Sequence, residues 1–445
     1  MPISPARAAA FDILLRVERE DSYASELLHS SRYADFSSAD HGLATELVMG
    51  VLRWRSVLDK QIGEHSSQKV TRLDSEVLTA LRLGVYQLLF LDRVPERAAV
   101  HESVELVKRA RKRSAVPLAN AVLRKVAGIA REHSGATTIA KAKTSTELAA
   151  SSAHPVWLVE RWIQEFGFEL AKQICIYDQR IPETAISITR GTTADELRSQ
   201  KIQLSPGNLL ASAYRVVAGN LTGTRAFRDG RLVIQDEASQ LVSLLVGQGA
   251  NILDCCAAPG GKTRTLAERN PNASIVAVEL HPHRARTLRK LVTANNVQVL
   301  AADARNLPTS ALFDRVLVDV PCSGTGTLAR NPEIKWRLKL KDLADLQARQ
   351  LAILQSAMQR VSPGGRIVYS TCSLEPEENS AVVEKAMSID PSFRVLNCRT
   401  ELERLRSQGE LRWEDIESLT NGPYLRTIPG VHPCDGFFAA ILQKT

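Results

Sequence analysis

Aromatic residues make up only 5% of this 445-residue chain, so a binding surface built on rows of stacking Phe or Tyr is poorly supplied. Glycine (24) and proline (19) are too few for a collagen-like or low-complexity chain, while 44% hydrophobic and 24% charged residues suit a globular one. No apolar run approaches the ~20 residues of a membrane span. The N-terminal MPISPARAAAFDILLRVERED is charged and amphipathic and lacks a signal-peptide core. The expectation is a cytoplasmic protein, neither exported nor inserted. The seven cysteines are odd in number and have no framework spacing; there is no Cys-x-x-Cys pair and no His at ligand spacing, so neither a disulfide scaffold nor a structural zinc is expected. The net charge of +8 is not gathered in a tail. It divides evenly before and after residue 150, so a polyanion such as nucleic acid would lie across both parts.

At this length two to four domains are expected. From Pro5 to about Ala130 the pattern is helical: Val77, Leu78, Leu81, Val85, Leu88 and Leu89 recur at helical spacing behind Asp74 as N-cap, and Val100, Val104 and Val107 share one face. Residues 134–152 are small and polar without apolar period, which places a boundary there. A small α+β module follows over 150–235, with a helix from Val156 and alternating segments at 184–190 and 212–219. From Asp236 onward strand-like runs at 251–257, 274–280, 297–303, 314–321, 365–372 and 436–443 alternate with amphipathic helices, the pattern of a parallel sheet covered on both faces.

In such sheets ligands bind beyond the carboxyl ends of the strands. Those ends carry Asp254, Glu279, Asp303 and Asp319. Any one of them reads as a solvated strand-end acid or helix cap, but four in succession suit a nucleoside bearing a free amino group: Glu279 for the ribose, Asp303 for the adenine amine, Asp319 for an ammonium. The first strand runs into Asp254-Cys255-Cys256-Ala257-Ala258-Pro259-Gly260-Gly261-Lys262-Thr263, a small-residue turn where backbone can approach a ligand closely. It is neither the Gly-x-Gly-x-x-Gly fingerprint nor a Walker loop. The fourth and fifth strands each end near a cysteine, Cys322 and Cys372, in polar or helix-starting surroundings where a thiolate can be stabilised. Cys175, Cys255, Cys398 and Cys434 read instead as inert packing residues.

DCCAAPGGKT, DVPCSGTGTLARNPEIKW and YSTCSLEPEEN resemble the motifs of the RNA 5-methylcytosine methyltransferases, in the Fmu/Sun (RsmB-type) branch. The likeness covers essentially the whole chain. It implies a Rossmann-like S-adenosylmethionine-dependent catalytic domain at 236–445, an all-α NusB-like RNA-binding domain at 1–140, containing LRLGVYQLLFLDRVPERAAVHESVELVKR, and a small α+β RNA-binding module at 150–235. By this resemblance Cys256, Ala257, Ala258, Pro259, Gly260, Gly261 and Lys262 cradle the methionine part of the cofactor, Glu279 holds its ribose and Asp303 its adenine, and Asp319 faces cofactor and target base. Cys372 is implied as nucleophile and Cys322 as the group that releases product. No metal is implied. The implied partner is 16S ribosomal RNA before or during subunit assembly, with no membrane and no DNA, and the implied target is its cytosine at position 967.

Two cysteines make chemical sense for that reaction. Carbon 5 of cytosine becomes nucleophilic once a thiolate adds at carbon 6. Asp319 can assist, either protonated toward ring nitrogen 3 or bridging to the exocyclic amine. The proton on carbon 5 must then leave before the enzyme–base bond breaks. Lys108, Arg109, Arg111, Lys112, Arg113, Arg284, Arg286, Arg289, Lys290, Arg330, Lys335 and Arg337 are phosphate-contact candidates, each equally readable as a solvated helix face. The same chemistry on tRNA or large-subunit rRNA is a close alternative. An RNA-binding transcription or assembly factor with an inert catalytic half is a distant one.

Overall fold

Ser75–Phe90 buries thirteen of its sixteen residues, from Val77 to Leu89, because an apolar stripe that wraps most of a helix needs partners all round. In the computed structural model, which describes residues 3–20, 22–33, 35–128, 139–188 and 194–445, those partners are the helices Pro5–Arg19, Ser38–His65, Glu96–Arg109 and Val116–Ala127. Gly50 allows the closest approach: a Cβ there would lie 2.0 Å from the Tyr86 ring, whose hydroxyl donates to Glu46 at 2.6 Å. Asp74 occupies the expected N-cap position, but its side chain makes no capping bond and pairs with Lys112 at 3.0 Å.

The chain divides into two compact units, 1–181 with 328–337, and 182–327 with 338–445. The first is all-helical among its described residues. The expected polar connection at 134–152 begins outside the described residues, and its second half forms a helix, Ser145–Ser152, capped by Thr144. Its apolar period is faint because only Leu148, Ala149 and Ser152 are buried. The helices Val156–Phe166 and Phe168–Asp178 complete this unit.

The second unit opens with a small antiparallel sheet, order β2-β3-β1-β4, formed by β1 (Thr184–Ile188), β2 (Gln203–Pro206), β3 (Ala213–Ala218) and β4 (Leu232–Ile234). Residues 189 and 190 of the expected strand lie outside the described residues. Ile186, Leu197, Ile202, Leu221 and Leu232 form its core. The larger sheet follows: β5 (Asn251–Asp254), β6 (Ser274–Glu279), β7 (Val297–Ala301), β8 (Phe313–Asp319) and β9 (Val361–Thr371) are mutually parallel. Here one expectation is corrected. The run at 436–443 does not extend the parallel set: β13 (Phe438–Lys444) lies antiparallel to β9, and β10 (Phe393–Leu396) and β12 (Tyr424–Arg426) pair with β13 in antiparallel fashion. β11 (Thr420–Asn421) completes the edge. An apolar run reports burial on both faces and carries no direction, so strand polarity was not legible. The fold is an all-α domain followed by a Rossmann-like domain with a mixed sheet.

Candidate active site

The larger sheet runs β7-β6-β5-β8-β9-β13, so strand order reverses between β5 and β8 and opens a crevice at their carboxyl ends. Asp254 and Asp319 are the last residues of those two strands. Asp254 is buried and accepts from the Thr263 hydroxyl at 2.8 Å; burial pushes its carboxyl up to about 6. Asp319 accepts from the Ser370 hydroxyl at 2.7 Å and lies 2.7 Å from the Lys262 ammonium. Burial disfavours that ammonium, but the negative charges of Asp319, Cys372 and Asp254 outweigh it and hold the Lys262 pKa above the usual lysine value. Asp319 is therefore the carboxylate of an ion pair.

Between Asp254 and the helix Gly261–Arg269 the chain makes the small-residue turn. Gly260 has φ 116° and its missing Cβ leaves room for Leu288 and Val292, and the helix start carries no side-chain cap. At the next strand end Glu279 is buried and accepts from the His281 amide at 2.9 Å. Asp303 stands two residues beyond β7, where it caps the short turn Ala304–Asn306 through the Arg305 amide. Its carboxylate is held by the Arg305 guanidinium at 3.0 and 2.6 Å, which keeps it below the usual carboxylate range. That local pair, invisible to strand-end reasoning, engages the acid expected to meet an adenine amine.

β8 and β9 are hydrogen-bonded neighbours, with Asp319 opposite Ser370. Their loops bring Cys322 and Cys372, both half-buried, to an Sγ–Sγ distance of 3.2 Å. The hydrogen bond to Cys372, together with burial, pushes the Cys322 thiol well above its ordinary pKa, with the charge of Glu378 adding to it. Gly326 makes the loop's close approach possible: its amide donates to the Cys372 carbonyl, and a Cβ would meet the Gly436 carbonyl at 2.1 Å. Burial pushes the Cys175 and Cys398 thiols up to about 12, and those of Cys255, Cys256 and Cys434 up as well.

Sequence reasoning missed the polar layer beneath the two thiols. Glu378 is fully buried; one carboxylate oxygen accepts from the Ser323 amide and the Gln350 side chain, each at 2.8 Å. The other accepts from the Ser373 hydroxyl at 2.5 Å and from the Ser323 hydroxyl. Asn379 donates to the Ser373 carbonyl at 2.9 Å and accepts from Thr371. The Glu-Pro-Glu-Glu-Asn stretch was visible, but nothing in it says which acid turns inward, and Gln350 gives no signal within its helix.

Two candidate phosphate contacts are corrected. Lys335 is buried in the first unit, where its ammonium donates to the Arg53 carbonyl at 2.9 Å, and Arg337 donates to the Val17 and Ser22 carbonyls. Among the others, Lys108, Arg109 and Lys112 pair with Glu105, Asp12 and Asp74, whereas Arg284, Arg286, Arg289 and Lys290 are exposed on one helix.

Residues 242–443 match the family described as 16S rRNA methyltransferase RsmB/F, and residues 4–128 match the NusB family. The chain is similar to the probable ribosomal RNA small subunit methyltransferase B of Bacillus subtilis (strain 168), at 30% identity over 100% of both chains. It is also similar to ribosomal RNA small subunit methyltransferase B of Vibrio cholerae, at 30% identity over 99% of this chain and 98% of that one. Among solved structures, PH0851 shares the fold with a TM-score of 0.82 at 24% identity, covering 100% of this chain and 99% of that one. NSun6 from Pyrococcus horikoshii, solved with SFG, shares it with a TM-score of 0.55 at 20% identity over 66% of this chain and 99% of that one.

Proposed function

Because the chain belongs to the RsmB/F family of 16S rRNA methyltransferases, we propose that it methylates carbon 5 of one cytosine in 16S ribosomal RNA, by family likeness the cytosine at position 967, through a bond between Cys372 and the base. The observation that carries this reading is the 3.2 Å approach of the Cys322 and Cys372 sulfurs at adjacent strand ends. The cofactor is S-adenosylmethionine, which supplies an electrophilic methyl group. The crevice fits it: the uncapped helix start and the turn Cys256–Lys262 suit its carboxylate, and buried Glu279 suits its ribose diol. Asp303 and Asp319 are the acids for its adenine amine and its ammonium.

The Cys372 thiolate adds to carbon 6, forming a carbon–sulfur bond and leaving carbon 5 electron-rich. Negative charge builds on the ring beside the Lys262–Asp319 pair. As the carboxylate of that pair, Asp319 accepts from the exocyclic amine, and Lys262 brings positive charge close. Of the two roles open to Asp319, its ion pair favours this bridging one over that of a protonated acid.

Once carbon 5 has taken up the methyl group, Cys322, having first given its own proton to solvent, takes the carbon 5 proton, and the electron pair of the broken carbon–hydrogen bond expels Cys372 as thiolate. Bond formation at Cys372 removes the partner that raises the Cys322 pKa most, so the Cys322 thiol gives up its own proton more readily and is free to act as the base once the adduct exists. The helical unit and the small sheet of β1 to β4 hold the RNA, whose target base leaves its stack to reach the crevice.

Trapping with RNA tests the roles. Cys322→Ala is expected to accumulate a covalent RNA adduct; Cys372→Ala is expected to form none and to transfer no methyl group. An active Cys372→Ala protein would sink the assignment. Bisulfite mapping of ribosomal RNA with and without the protein tests the target, and a lost mark in tRNA or large-subunit rRNA instead would move it there.

A further inference from the structure

We infer that Glu378 is a positioning residue that locks the two cysteine loops to each other and so sets the distance at which Cys322 and Cys372 act. This deepens the two-cysteine reading above and rests on it for its catalytic meaning, though not for its geometry. Ser323 and Ser373 directly follow the two cysteines, and both donate to the same carboxylate, on which four donors converge. A carboxylate can accept that many bonds, and as an acceptor only it cannot exchange roles with any of them. Gln350 extends the clamp backward: its side-chain amide donates to Glu378 and to the Pro321 carbonyl at 3.0 Å, one residue before Cys322. The acid itself is held from behind, since the Tyr369 hydroxyl of β9 donates to its backbone carbonyl at 2.6 Å. Every arm of the clamp therefore ends on a residue adjoining a cysteine or on the strand that carries one.

An ionised carboxylate with no solvent exposure is costly unless its lone pairs are filled. Two serines and a glutamine fill them here, and in return the loops lose their freedom to slide apart. Reaction geometry is sensitive to such slack. A carboxamide in place of the carboxylate turns one acceptor into a donor, facing hydroxyls or an amide that already donate, and the clamp must open on at least one side.

The test compares wild type with Glu378→Gln. Single-turnover methyl transfer is expected to slow by roughly 100-fold, the scale of a misplacement near 1 Å. S-adenosylmethionine affinity, measured by calorimetry, is expected to be unchanged, because no arm of the clamp touches the turn Cys256–Lys262. The readout that a merely structural role would not move is oxidation by diamide, in which the Cys322 and Cys372 thiols form a disulfide and diamide is reduced to the hydrazine. Closure is expected to be roughly tenfold slower in the variant, since disulfide formation needs the two sulfurs in register. Wild-type rates of both transfer and closure would overturn the inference. Slower closure in the variant, with no RNA adduct even in wild type, would uphold the clamp and remove the cytosine mechanism. If Glu378→Gln does not fold, Ser323→Ala and Ser373→Ala each remove one arm, and closure at the wild-type rate in both would overturn it.

Discussion

In the helical unit Lys108, Arg109 and Lys112 reach Glu105, Asp12 and Asp74 at 2.7 to 3.0 Å, whereas in the sheet unit Asp254, Glu279 and Asp319 stand at the ends of parallel strands around a crevice. Buried charge differs too. Lys335 lies among Arg53, Asp178 and the neutral His154 in the helical unit, and burial pushes its pKa down to about 7 even though Asp178 opposes the fall. Glu378 is buried just as deeply, but three of its four donors come from the loops that carry Cys322 and Cys372. At these positions charge in the first region closes on its own helices; the second region also pairs locally, as Asp303 does with Arg305, but its strand-end acids Asp254, Glu279 and Asp319 stand around a crevice.

The sharpest way to break this contrast is Lys335→Met. If Lys335 is structural, removing it leaves the buried Arg53 carbonyl without its donor and costs about 2 kcal/mol, read by urea unfolding of the full chain. An unchanged midpoint with weakened RNA binding would return Lys335 to the phosphate contacts. Next is Asp319→Asn, expected to lower methyl transfer by roughly 100-fold with the unfolding midpoint little changed; a collapse in stability instead would make the crevice acids structural as well.

Asp254→Asn sharpens the contrast through pH. The folded pKa of Asp254, about 6, lies above the ordinary aspartate value, so its contribution to stability is fully present below the unfolded value and is lost as pH rises through the folded one. The loss amounts to about 3 kcal/mol at most. The variant, measured without cofactor, is expected to lose less stability between pH 4 and pH 7 than wild type; parallel curves would show that the carboxyl ionises freely. The smallest effect belongs to Lys108→Ala with Lys112→Ala. Their exposed pairs are worth about 0.5 kcal/mol each, so thermal unfolding should barely move. A steep loss of RNA affinity in the same variant would show that pairing does not prevent phosphate contact.

Much of the crevice was legible because parallel strands are apolar until they stop, and the first polar residue marks the end. Asp254, Glu279 and Asp319 were found that way, and so was the neighbourhood of Cys322 and Cys372. Asp303 was less so: its strand ends at Ala301, and the acid turns to Arg305, two residues on. The helix Ser145–Ser152 escaped because its residues are small and one narrow side is buried. Lys335 and Arg337 looked like surface charges because a cation's burial depends on carbonyls hundreds of residues away, such as those of Arg53 and Val17.

By itself the sequence determined most of the strand ends, the acids and thiols that stand near them, and the succession from helical bundle to strand–helix units, since these follow from local periodicity. It also carried the motifs of the family. Only the tertiary structure decided that β13 runs antiparallel beside β9, that the Cys322 and Cys372 sulfurs meet at 3.2 Å, that Asp319 pairs with Lys262, and that Glu378 joins the two loops. Each of these depends on a partner distant in the chain, and hydrogen-bonding and charge state are properties of the pair, which no single stretch of residues contains.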